Sequence, residues 1–124
     1  MLRLEELETY QQAMEIADEI WFEVKNWDYL AIDTIGKQII RSSDSIAANI
    51  SEGYGRFFYK ENKQFCYYSR GSLYETKTFL VKAKNRKLIS EEKYQILFSK
   101  LEIISKKLNA YIKSIGPKIN KEVS

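Results

Sequence analysis

The chain has 124 residues, with 20 Lys plus Arg against 17 Asp plus Glu, no His, one Cys, one Pro and five Gly. That length buries roughly two-thirds of the unfolded surface, enough for one hydrophobic core without disulfide or metal, and leaves no room for a second domain. Lack of His beside a single Cys excludes the usual zinc, haem and di-iron ligand sets and every His-based triad, so no metal or cofactor is expected and catalysis would fall to carboxylates, Lys or Tyr.

One Cys also excludes an intrachain disulfide, which fits a reducing compartment. The segment MLRLEELETY lacks the apolar stretch of a signal peptide, and no run approaches the ~18 uncharged apolar residues of a membrane span. A cytosolic protein without membrane contact is expected. The lone Pro is residue 117, so nothing from 1 to 116 forbids a helix interior.

Leu7, Tyr10, Ala13, Met14, Ala17, Ile20, Trp21, Val24 and Trp27 recur at spacings of three and four, which predicts a first helix over about 5–27. NWDYLAIDT reads as a connection with Asp28 or Asp33 as N-cap. A second helix carries Ile35, Ile39, Ser42, Ser43, Ile46 and Ile50 on one side and ends at Gly53 and Gly55. The third, over about 59–86, places Phe65, Tyr68, Ser72, Leu73, Thr76, Phe79, Leu80 and Ala83 on a shared stripe. Gly71 and Ser72 weaken its middle, which predicts a close approach to the Ser42 and Ser43 face, and Cys66 reads as a small buried hydrophobe. Ser90 is the natural N-cap of a fourth helix through Tyr94, Leu97, Phe98, Leu101, Ile104, Leu108, Tyr111 and Ile115, which stops at Gly116-Pro117. The expected fold is all-α: an up-down-up-down antiparallel four-helix bundle over 1–117, followed by a polar tail over 118–124.

The second helix also carries a polar stripe. Gln38, Arg41, Ser45, Asn49, Glu52 and Arg56 follow one another at steps of three and four, beside the isoleucine face. A solvated face would produce such a seam, but Asn and Ser are poor helix-interior choices where Lys, Glu or Ala would serve. Short hydrogen-bonding groups ending in Arg, Glu, Arg suit contact with another helix, inside the bundle or across a subunit boundary. They suit phosphate less, because Glu52 stands between two arginines.

These residues carry a family signature. Gln38, Arg41, Ser45, Ile46, Asn49, Ile50, Glu52, Gly53 and Arg56, then Gly71, Ser72, Leu73 and Glu75, and finally Leu80 and Ala83, fall in register with the pattern of the 23S rRNA intervening-sequence protein family, which the chain resembles over nearly its whole length. It departs from that pattern at Ser51, Phe58 and Asn62. The resemblance implies a closed four-helix bundle forming a ring-like homopentamer, encoded within insertions in bacterial ribosomal RNA genes. No activity is established for that family. A related bundle protein of diversity-generating retroelements binds nucleic acid and a reverse transcriptase, which makes RNA or DNA and a nucleic-acid-processing protein candidate partners.

Charge gives a second lead. Residues 1–36 carry net −7, residues 37–79 net +3 and residues 80–124 net +7. Arg86 and Lys87 close a basic cluster begun by Lys82 and Lys84, while Lys93, Lys100 and Lys107 repeat every seven residues along one edge of the fourth helix. Such a row suits a phosphate backbone, and Arg86, Lys87, Lys93, Lys100 and Lys107 are the candidate nucleic-acid contacts. The alternative is structural, since the acidic first helix neighbours the basic fourth in an up-down bundle and would neutralise it. Phe57, Phe58 and Tyr59 are candidates for base stacking or for a subunit interface. The resulting expectation is a non-enzymatic oligomeric module that binds RNA or DNA, with a purely structural or protein-binding ring as the competitor.

Overall fold

The computed structural model describes residues 2–117, and the predicted tail over 118–124 lies outside them. A 3-10 turn, Leu4–Glu6, leads into α1 (Glu8–Val24). The single turn α2 (Tyr29–Ala31) and a π-helical turn (Ile32–Gly36) run directly into α3 (Lys37–Tyr54), and α4 (Tyr59–Asn85) and α5 (Glu91–Ser114) follow. Four helices are long, and no strand occurs among the described residues. No helix among them is long and apolar enough to cross a membrane.

Local chemistry sets the boundaries. Asp28 is the N-cap of α2, its carboxylate accepting the Ala31 N–H at 3.0 Å, while Asp33 sits in the π turn and pairs with Lys37 at 2.7 Å. Ser90 caps α5 by accepting the Lys93 N–H at 3.0 Å. α4 ends in a Schellman arrangement: Leu88 N–H reaches Ala83 O at 2.9 Å and Lys87 N–H reaches Lys84 O at 3.0 Å. Lys87 takes the left-handed position there, with φ 60°, where glycine is usual.

Two glycines are fixed by close approach. A Cβ on Gly36 would stand 2.9 Å from Val24 Cγ1 and 3.1 Å from the Ala31 carbonyl, so the π turn presses on α1 only without a side chain. A Cβ on Gly53 would stand 2.8 Å from the Asn62 carbonyl, where α3 and α4 converge on their connection.

α3 packs against α1 and α4, and α5 against the same two helices. Residue numbers fall along one helix as they rise along its neighbour. Ser69 donates to Ile46 O at 2.7 Å and the Thr76 and Ser42 hydroxyls meet at 2.9 Å between α4 and α3; Lys100 meets Glu19 and Lys107 meets Glu8 between α5 and α1.

Ile16, Ile20, Ile39, Ile46, Ile50, Leu73, Leu80, Leu97, Leu101, Ile104 and Leu108 fill the centre. Each contributes about 1.5–3 kcal/mol through apolar burial. The predicted stripes of α3 and α5 hold, with Phe98 and Tyr111 only half-buried. Met14, Trp21 and Tyr68, expected inside, are exposed, and Ile16 and Ser69 occupy the core instead, beside Cys66, which is buried as expected. The reason is angular. Apolar residues surround more of α1 and α4 than the roughly 100° face a bundle buries, so spacing alone leaves the rotation of each helix open. Gly71 is corrected for the same reason: it is exposed, and a Cβ there would meet nothing within 4 Å. Ser69 and Thr76 make the close contact with α3 instead.

Candidate functional site

The polar seam lies along the outer side of α3. Gln38, Arg41, Glu52 and Arg56 are exposed, Ser45 and Asn49 half-buried. Its hydrogen bonds are local, each spanning one turn: Ser45 Oγ donates to Arg41 O at 2.8 Å, Asn49 Nδ2 to Ser45 O at 2.9 Å, and Arg56 Nη2, just past the end of α3, to Glu52 Oε1 at 2.7 Å. Arg56 also lies over the Phe65 ring at 4.7 Å. Side chains satisfied by carbonyls one turn back explain how Ser and Asn are tolerated mid-helix. The buried polar contacts between α3 and α4 use Ser42, Ser69 and Thr76, which the seam does not include.

The heptad row on α5 faces α1. Lys100 pairs with Glu19 at 2.6 Å and Lys107 pairs with Glu8, all four side chains being at least a third exposed or nearly so. Lys93 is half-buried in the first turn of α5. The acidic first helix thus meets the basic fourth, as the structural alternative expected. Exposed pairs of this kind contribute roughly 0–1 kcal/mol each.

A different set of cations, most of them unpaired, converges elsewhere. The antiparallel sense of α3 and α4 brings the start of one beside the end of the other, forming an open groove of about 440 Å³ in which Lys37, Arg41, Lys82 and Arg86 surround half-buried Phe79. Lys37 is held by Asp33, whereas Arg41, Lys82 and Arg86 form no ion pair among the described residues. Lys87 is exposed one residue beyond. Sequence reasoning put Arg41 in the seam and Lys82 and Arg86 in the basic cluster; the fold joins them and adds Lys37. Only the helix pairing could reveal this, since Arg41 and Arg86 are distant in sequence.

The π turn forms one wall of the groove through Asp33, Thr34 and Ile35. Such turns admit one extra residue, re-aim the side chains that follow, and recur at functional sites. Phe57, Phe58 and Tyr59 lie at the opposite end of the α3–α4 pair, all exposed, with the two Phe rings edge to face at 5.0 Å. Cys66 is fully buried, and burial pushes its thiol up to about 11.

The fold has a known counterpart. A crystal structure of a protein of unknown function from the S23 ribosomal protein family of Bacteroides thetaiotaomicron superposes with a TM-score of 0.77 at 23% identity, covering 86% of this chain and 99% of that one. At that identity the likeness shows the fold. No curated sequence matches the chain. Residues 5–110 match the family model described as 23S rRNA-intervening sequence protein. With the matched span including α1, α3, α4 and most of α5, the chain belongs to the 23S rRNA-intervening sequence protein family.

Proposed function

We propose that the protein is a cytosolic, non-enzymatic nucleic-acid-binding and scaffolding module: an up-down-up-down four-helix bundle that assembles as a homopentamer and holds RNA along the basic groove between α3 and α4. The observation that carries this reading is the meeting of Arg41, Lys82 and Arg86 in one groove without a carboxylate partner. Unpaired cations spaced along a groove suit the repeating charge of a phosphate backbone better than a single small anion. Lys87 extends the same edge, and Lys93, Lys100 and Lys107 offer a second row along α5, where the pairs that Lys100 and Lys107 form with α1 are exchangeable. A ring repeats the groove once per subunit, which multiplies the phosphate contacts available to one strand.

Salt dependence tests the reading. Anisotropy titrations with single-stranded RNA between about 50 and 200 mM salt are expected to show affinity falling steeply, and Arg41→Ala and Arg86→Ala each to flatten the logarithmic slope by about 0.7. Absent or salt-independent binding overturns it in favour of a protein-binding or structural ring. The specific support for that second reading is that Glu19 and Glu8 already neutralise Lys100 and Lys107.

A further inference from the structure

Two opposite faces of the bundle carry exposed aromatic residues and opposite charge, and neither is matched within the chain. On the α1–α3 side, Met14, Asp18 and Trp21 are exposed on α1 beside Asp44 and Ala48 on α3. Asp18 and Asp44 lie close enough that, after burial, the Asp18 charge is the second cause raising the Asp44 carboxyl. Neither pairs with a cation among the described residues. On the α4–α5 side, Tyr67 and Tyr74 are exposed one turn either side of Gly71, and Arg70 and Lys77 lie over their rings at 5.0 and 5.3 Å. Lys113, from α5, joins Tyr67 and Arg70 around a shallow depression there.

Gly71 is the informative residue. An exposed glycine inside a helix costs about 1 kcal/mol relative to alanine. Here a Cβ would meet nothing within 4 Å, so packing within the chain does not require glycine. A gap between two tyrosines and two cations instead admits a side chain from outside.

We infer that the acidic, tryptophan-bearing α1–α3 face of one copy docks onto the Tyr67–Gly71–Tyr74 face of the next, with Arg70, Lys77 and Lys113 opposite Asp18 and Asp44. This rests on the reading that the copies assemble, and specifies how. The occupant is a second copy because the two faces are complementary in charge and each offers aromatic anchors. Unlike faces on opposite sides of one subunit give a head-to-tail contact, which closes into a ring at a suitable angle.

Light-scattering masses of full-length wild type, Gly71→Glu and Trp21→Lys test the assignment, with circular dichroism verifying helicity. Both positions are exposed, and Tyr74→Glu and Asp18→Lys replace either variant if it loses helicity. The wild type is expected at a multiple of 14.6 kDa and each variant alone at 14.6 kDa. Their equal mixture is expected at twice that mass, because each variant keeps the face the other has lost. A wild-type assembly whose mass neither variant changes overturns the face assignment and leaves the assembly reading standing. Monomeric variants that stay monomeric when mixed overturn the head-to-tail arrangement. A monomeric wild type, its faces left to another protein, overturns the assembly reading and this inference together.

Discussion

Lys87 separates the demands of stability from those of the proposed RNA contact. It holds the left-handed position that ends α4, where a side chain strains the backbone and glycine does not. Lys87→Gly is therefore expected to raise stability by about 1 kcal/mol in urea denaturation while weakening RNA binding. A change that stabilises the fold and weakens the ligand identifies a residue kept for its charge. Cys66 shows the opposite relation, since full burial and a thiol held near 11 leave almost no thiolate at neutral pH. An alkylating reagent at about pH 8 should leave the folded protein unmodified and label it completely once denatured, as thiolate reactivity requires both exposure and ionisation.

At the scale of elements, the α3–α4 pair is the most closely fitted part of the molecule. Gly53→Ala would force a Cβ against the Asn62 carbonyl, a backbone atom that cannot rotate away, and should lower stability by about 1–3 kcal/mol. Thr76→Val keeps the volume but leaves the buried Ser42 hydroxyl without its partner across the helices, with an expected loss of about 1–2 kcal/mol. Both are read from the midpoint of chemical unfolding. Gln38 is exposed and its side chain forms no hydrogen bond among the described residues, so replacing it should shift the same midpoint by less than about 0.5 kcal/mol.

The whole molecule is organised by its separation of charge. The acidic amino-terminal part lies against basic α5 through Glu19–Lys100 and Glu8–Lys107, and the basic groove opens on another side, between α3 and α4. Glu8→Gln combined with Glu19→Gln would release two lysines at a cost below about 2 kcal/mol, because both pairs are solvent-accessible. If the lysine row of α5 offers a second contact for RNA, as proposed, the double variant should bind more tightly at low salt and show a steeper salt slope. An unchanged slope would confine RNA to the groove.

The sequence by itself determined the four long helices, the Ser90 cap, the core face of α3 and α5 and the family, because caps and three-and-four spacings are local features that a helix expresses wherever it lies, whereas the choice of Asp28 over Asp33 as a cap fell to the structure. Tertiary structure decided the functional surfaces. Arg41 joins Lys82 and Arg86 only because α3 and α4 run in opposite directions side by side, and Lys100 and Lys107 meet carboxylates only because α1 is their neighbour. Gly71 and Trp21 face outward because packing the entire core fixed the rotation of α4 and α1 about their axes. A hydrophobic period reports that a helix has a buried side, but where apolar residues exceed that side, only the neighbouring helices decide which of them it includes.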